Sequence, residues 1–214
     1  MKKIITLFII TIFCFSLASC AKTADSNTAT ASENEVTAEP FESMEITYTI
    51  MNMFATYDNM DELIEDSTLI VIASPEKTFT DEVPTFLDIN GNAVESYEQA
   101  SRSNCYTLRD FKINKVLKGD KSLKEVTVAE RFVEINSDGT DKIIGPKGEY
   151  IAKKNAKYML FLMPSNYKGN HYFTYYNVGK INIDGKDPNC EQIVDNKMLN
   201  EIKKEYKNEF KEAN

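Results

Sequence analysis

The chain has 214 residues, 42% of them hydrophobic, with 25 lysines and arginines against 33 acidic residues and a formal charge of −8. This length predicts a single domain, since domains have roughly 100 to 200 residues. The negative charge disfavours nucleic acid as a partner, because a phosphate-binding groove needs clustered lysines and arginines.

The N-terminus has the organisation of an export signal. Lys2 and Lys3 form a basic start, and the apolar run at residues 4–15 follows. This run has the length of a signal-peptide core and is shorter than the roughly 20 residues of a membrane span. It ends at Leu17-Ala18-Ser19-Cys20. The ending resembles the lipobox of bacterial lipoproteins, in which a branched apolar residue and two small residues precede an invariant cysteine.

The lipobox resemblance implies that a diacylglycerol is attached to Cys20 and that signal peptidase II removes residues 1–19. It places the protein at the bacterial cell membrane, lipid-anchored and facing the extracytoplasmic side, because two acyl chains give stable anchoring. Two alternatives stay open. One is an ordinary secretory signal with an incidental cysteine, and the other is an uncleaved anchor.

The segment after Cys20 is polar, and Phe41 is its only aromatic residue. Such a composition buries too little apolar surface to offset the entropy of ordering. We therefore expect residues 20–43 to be a flexible tether, whose span is roughly 25 Å at about 5 to 6 Å times the square root of its length. A single β-rich extracytoplasmic domain is expected at residues 44–214.

Sequence patterns from residue 44 onward predict mostly strands. Asn59, with Glu62 three residues later, predicts the N-terminal cap of a short helix. The stretch at residues 75–104 carries the turn pair Asn90-Gly91 and is interpreted as a hairpin or a long surface insertion. Alternating or continuous apolar runs predict strands at residues 44–50, 68–73, 106–117, 126–135, 158–163, 171–178 and 180–183.

The C-terminal residues predict an amphipathic helix. We expect the helix to dock its apolar stripe on the barrel or sheet; a membrane-surface or partner helix is the alternative, although a strongly basic face is absent. Together with the short helix and the strands before it, this pattern predicts a mainly β (α+β) fold, a small barrel or sandwich. The apolar residues at helical spacing are Met198, Leu199, Ile202, Tyr206 and Phe210.

Three segments are similar to the core strands of many uncharacterised bacterial lipoproteins: LIVIA at residues 69–73, FKINKVLKG at residues 111–119 and KYMLFL at residues 157–162. More remotely, they resemble netrin-like modules, including tissue inhibitors of metalloproteinases. The resemblance implies a small OB-like or netrin-like barrel with a short N-terminal helix and a C-terminal amphipathic helix. It does not extend to inhibition, because those inhibitors use a free N-terminal cysteine and Cys20 is expected to be lipidated.

Few residues suit catalysis. A glycine-rich phosphate loop, Cys-x-x-Cys and His-Glu-x-x-His are absent, and His171, the only histidine, is expected to be partly exposed at a strand end. Glu130 and Glu134 would share a face of one strand, as a hydrolase pair requires, but a solvated acidic face is the preferred interpretation. The sequence at residues 138–141 is interpreted as a β-turn and not as a calcium loop. We expect no catalytic residue, metal or cofactor.

Two cysteines and two tyrosines remain as candidate functional residues. Export permits a disulfide between Cys105 and Cys190, and two free, buried thiols are the alternative. Tyr172 and Tyr176 would share one face of the strand at residues 171–178. They either pack beneath the C-terminal helix or form a binding surface, since tyrosine supplies contact area with little rotamer entropy.

The sequence thus predicts a lipid-anchored binding or accessory protein that is not an enzyme. Its expected partners are the membrane, through Cys20, and a protein or envelope ligand. The alternatives are a carboxylate-dependent hydrolase acting on envelope material and a structural subunit of an envelope assembly.

Overall fold

Ten strands and three α-helices form in the described part of the chain. The computed structural model describes residues 38–49, 57, 59–165, 171–175, 178–188, 190 and 196–213. The strands are β1 (Glu45–Thr49), β2 (Leu69–Pro75), β3 (Pro84–Phe86), β4 (Cys105–Lys118), β5 (Glu125–Glu130), β6 (Val133–Ser137), β7 (Thr140–Pro146), β8 (Tyr158–Pro164), β9 (Tyr172–Thr174) and β10 (Lys180–Asn182). The helices are α1 (Met60–Asp66), α2 (Asn196–Glu205) and α3 (Lys207–Ala213).

Five strands close into a barrel, because each of them pairs with two neighbours. β2 pairs with β4 and β8, β4 with β5, β5 with β9, and β9 with β8. The β5–β9 pairing is parallel and rests on one residue pair, Val128 with Tyr172. β3 and β10 extend the sheet beside β4 and β8. The predicted fold class is confirmed: a mainly β domain built on a small barrel, consistent with an OB-type barrel.

β2 and β8 are buried on both faces, as their continuous apolar sequences predict. One face lines the barrel interior, and the other lies beneath α1 and α2. The interior residues include Leu69, Val71, Ala73, Phe111, Val126, Val128, Tyr158, Leu160 and Leu162. The residues beneath and on the helices include Ile70, Ile72, Met159, Phe161, Leu63, Met198, Leu199 and Ile202.

Lysines of β4 tie the helices to the barrel. Two register shifts in the β2–β4 pairing bring Lys112, Lys115 and Lys118 opposite alternate residues of β2, so all three stand on the same face. Lys118 Nζ donates to the Ile64 carbonyl in the last turn of α1 at 2.6 Å. Lys115 Nζ donates to Glu209 of α3 at 3.0 Å. Two of these three lysines therefore connect the barrel to the helices.

Both predicted helices form. The Asn59 side chain accepts a hydrogen bond from the Glu62 amide at 3.0 Å, which confirms the predicted cap. The C-terminal segment forms α2 and α3, and the apolar stripe of α2 docks on the barrel as expected. None of the helices in the described ranges is long and apolar enough to cross a bilayer.

The prediction of one strand at residues 126–135 is wrong. The chain forms β5 and β6 in different sheets and breaks at Arg131 and Phe132. Phe132 is 1% exposed and packs in an apolar cluster separate from the barrel interior. Gly145 of β7 makes room for the ring, since a Cβ there would lie 2.1 Å from Phe132 Cδ1. Burial of Phe132 therefore carries the chain from the barrel into the three-stranded sheet β1-β7-β6.

The last residues of the predicted tether are packed. Glu39 and Phe41 are each 6% exposed. The Glu39 carboxylate accepts hydrogen bonds from the backbone amides of Lys154 and Phe79. The Phe41 ring packs edge-on against Phe79, with 6.0 Å between the centroids. Residues 38–43 thus belong to the folded domain, because the segment's single aromatic residue has an apolar partner there.

Substitution of Ile202 tests the docking of α2. Ile202→Ala is expected to lower the free energy of unfolding by about 2–5 kcal/mol, because the side chain is fully buried between α2 and the barrel. Lys204→Ala, at an exposed position of the same helix, is the control and should change stability by less than about 0.5 kcal/mol. Chemical denaturation followed by circular dichroism measures both. Equal losses would contradict the docking.

Candidate functional site

A buried ionic cluster joins three strands around Glu130, the last residue of β5. Arg109 Nη1 of β4 donates to Glu130 Oε2 at 2.6 Å. Lys180 Nζ of β10 and the Ala152 amide both donate to Glu130 Oε1, the amide at 3.1 Å. The side chains of Arg109, Glu130 and Lys180 are 0%, 2% and 8% exposed. Both carboxylate oxygens are therefore engaged inside the protein.

Backbone carbonyls fix the two cations of the cluster. Arg109 Nη1 donates to the Ala152 carbonyl and Nη2 to the Lys77 carbonyl, each at 2.7 Å. Lys180 Nζ donates to the Tyr150 carbonyl at 2.5 Å and lies 4.7 Å from the centroid of the Tyr150 ring. The cations are thus held by hydrogen bonds on several sides, as buried charges require.

The cluster keeps Glu130 ionised. Burial alone would raise the pKa of Glu130, but the charges of Lys180 and Arg109 outweigh it and hold that pKa below its ordinary value. A carboxylate with a lowered pKa and occupied oxygens is a poor general acid. The ionic cluster therefore has a structural role in the barrel.

The predicted carboxylate pair does not form. Glu130 lies at the end of β5 in the barrel, whereas Glu134 lies on β6 in the other sheet. The preferred interpretation, a solvated acidic face, is also wrong for Glu130, which is 4% exposed. Sequence reasoning missed its partner Arg109, although Arg109 lies two residues before the buried Phe111 and so shares its inward face.

A small pocket opens beside the cluster. Arg131 Nη1 and Glu149 Oε1 form an ion pair of 2.5 Å at its side. The cavity volume is about 10 Å³, which is about the room that one water molecule needs. No group of three or more metal-ligating side chains occurs among the described residues. The pocket is lined by Gly148, Glu149, Tyr150, Thr174, Tyr175 and Lys180.

The two candidate disulfide cysteines are free and buried. Cys190 Sγ donates to the Tyr150 hydroxyl at 2.7 Å and accepts from the Asn182 amide at 3.0 Å. Cys105 Sγ donates to the Ser101 carbonyl at 3.4 Å. The thiols have separate surroundings, so no bridge joins them. Burial raises the pKa of each thiol to about 11, which disfavours the reactive thiolate.

His171 is buried, so the prediction of a partly exposed histidine is wrong. It is 5% exposed and its ring lies beside two others, with centroid distances of 5.5 Å to Tyr106 and 5.7 Å to Phe173. Its Nε2 atom has no hydrogen-bond partner in the part of the chain that the structure describes. Burial lowers the pKa of His171 below its ordinary value of 6.5. The imidazole of His171 is therefore neutral and packs like an aromatic side chain.

The predicted tyrosine surface is only partly described. Tyr172 is half-buried and packs against the barrel interior cluster, while Tyr176 lies outside the described residues. Phe173 and Tyr175 join different apolar clusters, because β9 ends at Thr174. A binding surface at Tyr172 and Tyr176 stays a prediction.

The outer face of β4 and β5 is covered by the chain itself. Tyr106 of β4 and Ala129 of β5 are 4% and 1% exposed and cluster with Leu87 and Phe173. In chain order, β4 and β5 are the second and third strands of the barrel. In OB-type barrels the face of the second and third strands binds ligands. Leu87 belongs to the segment between β2 and β4, residues 76–104, which we call the insertion. Here the insertion and β9 occupy that face.

The insertion presents a tight loop with an exposed apolar tip. Asp88 Oδ1 accepts hydrogen bonds from the amides of Asn90 and Asn92 at 2.8 and 2.9 Å. Gly91 has a φ of 79°, a conformation that favours glycine. Ile89, within this loop, is 84% exposed. The hydrogen bonds to Asp88 therefore hold a large apolar side chain out in solvent.

Comparison of the chain with protein-family models, with curated proteins and with solved structures finds no match.

Replacement of the central carboxylate tests the ionic cluster. Glu130→Gln is expected to lower the free energy of unfolding by about 3–5 kcal/mol, because it leaves Arg109 and Lys180 buried without a carboxylate. Glu125→Gln, at an exposed position of the same strand, should cost less than about 0.5 kcal/mol. Urea denaturation measures both. A similar cost at the two positions would contradict a structural ionic cluster.

Proposed function

We propose that the protein is a lipid-anchored extracytoplasmic binding protein that presents its insertion to a partner. The observation that carries the proposal is the loop of Asp88 and Asn92, which holds Ile89 at 84% exposure on a hydrogen-bonded frame. Preorganised loops lose little entropy on binding, and loops on a rigid scaffold commonly carry function. Val83 of the same insertion is 79% exposed.

The charge of the insertion indicates the chemistry of the partner. Residues 76–104 contain six acidic residues and two basic ones. A complementary surface has an apolar pocket for Ile89 with basic groups around it, because opposite potentials steer association and set specificity. We therefore propose a protein partner with a basic rim.

The buried state of Glu130 favours a binding role over the hydrolase alternative. A carboxylate-dependent hydrolase needs two carboxyl groups facing a substrate. Glu130 faces Arg109 and Lys180 instead, and Glu134 lies in the other sheet.

The anchor is proposed from the lipobox sequence, since Cys20 lies outside the described residues. An anchor at Cys20 would keep the insertion close to a partner at the membrane surface.

Metabolic labelling tests the anchor. Cells given an alkyne-tagged palmitate are expected to label the wild-type protein, and Cys20→Ser is expected to abolish the label, because the thiol of Cys20 is the proposed acylation site. Cys14→Ser, within the signal peptide, is the matched control and should keep the label on a cleaved chain. Label retained in Cys20→Ser would contradict the lipoprotein assignment.

Site-specific photocrosslinking tests the binding surface. A photoreactive residue at position 89 in native cells is expected to capture one dominant protein, whereas the same residue at position 48 should not, although Tyr48 is 55% exposed. Ile89→Ser is expected to weaken the captured complex by about 2 kcal/mol, roughly thirtyfold, as for a central apolar contact. Equal capture at both positions, or none at position 89, would contradict the proposal.

A further inference from the structure

The barrel closes through its shortest strand. β9 has three residues and pairs with β8 over three positions, and its ladder with β5 has one residue pair, Tyr172 with Val128. Strands with so few ladder hydrogen bonds open at lower free energy than the body of a sheet. The pairing of β9 with β5 is therefore expected to open more readily than the longer pairings of the barrel.

His171 lies at the start of this strand and contributes to its packing. The ring contacts Tyr106 of β4 and Phe173 of β9, and Tyr106 and Phe173 also pack on each other at 5.7 Å. The His171 carbonyl accepts a hydrogen bond from the Ser165 amide at 3.0 Å. The side chain thus bridges β9 to the outer face of β4, while its Nε2 atom stays unpaired.

We propose that His171 is a pH-sensitive latch, whose neutral ring holds β9 in the barrel and whose protonation releases β9 from β5. Protonation would add a charge at a site that is 5% exposed, and a buried charge needs a partner. The groups around the cluster are Tyr106, a phenol, and Arg131, a cation 5.4 Å from the Phe173 ring. Arg131 already engages Glu149 at 2.5 Å.

The sign of the pH dependence follows from burial. The folded-state pKa of His171 lies below 6.5, its ordinary value, so the unfolded or opened state binds the proton more readily. Stability is therefore full above about pH 6.5 and falls as the pH drops through that value, until the folded-state pKa is reached. The latch does not require the proposed binding function.

The single histidine makes the titration unambiguous. We expect the His171 ring proton resonance in NMR spectra of the complete chain to titrate below 6.5. Hydrogen exchange, corrected for its intrinsic pH dependence, should become about tenfold faster at β9 between about pH 7.5 and pH 5.5, while the β2–β8 pairing keeps its protection. A titration at or above 6.5, or equal acceleration in both pairings, would overturn the latch.

Substitution separates His171 from other titrating groups. His171→Phe keeps an aromatic ring and is expected to abolish the loss of melting temperature between about pH 7.5 and pH 5.5. Glu39→Gln is the control, because burial raises the pKa of Glu39 and its protonation stabilises the fold as pH falls, the opposite sign. Glu39→Gln should therefore keep the wild-type loss of melting temperature or enlarge it, but not abolish it. An unchanged loss in His171→Phe would overturn the latch, and the wild-type titration decides if that variant does not fold.

Discussion

The barrel is held to its neighbouring segments through one buried carboxylate. Glu130 accepts hydrogen bonds from Arg109 of β4, Lys180 of β10 and the amide of Ala152. Buried ion pairs contribute little net stability compared with apolar groups, but loss of one partner leaves an uncompensated charge. The cluster therefore forms completely only when the strands that carry it are correctly placed. β4, β5 and β10 must all be in position before all three charges are satisfied together.

The ionic cluster of Arg109, Glu130 and Lys180 lies close to Glu39, near the first described residue of the chain. Burial raises the pKa of Glu39, while two backbone amides and the charge of Arg109 act in the opposite direction. Arg109 also lies 5.8 Å from the ring of Phe79, on which Phe41 packs. The first described residues of the chain are thus attached beside the ionic cluster.

Strands and helix caps were predictable because their signals are local, whereas the ionic cluster was not. The apolar run at residues 69–73 is continuous, and the cap residue Asn59 lies three residues before its partner Glu62. Glu130 is 21 residues from Arg109 and 50 from Lys180, so no window of the sequence contains the cluster. The break in the strand at residues 126–135 did have a local signal. Its apolar residues change from even to odd positions near Phe132.

The insertion and β9 cover one outer face of the barrel. In OB-type barrels the face of the second and third strands is available to ligands. Here Leu87 of the insertion and Phe173 of β9 cover that face, and the loop with Ile89 follows directly after Leu87. His171 packs on Tyr106 and Phe173 of the same cluster. A change that loosens β9 therefore also removes support beneath the loop, so closure of the barrel and presentation of Ile89 depend on one set of aromatic contacts.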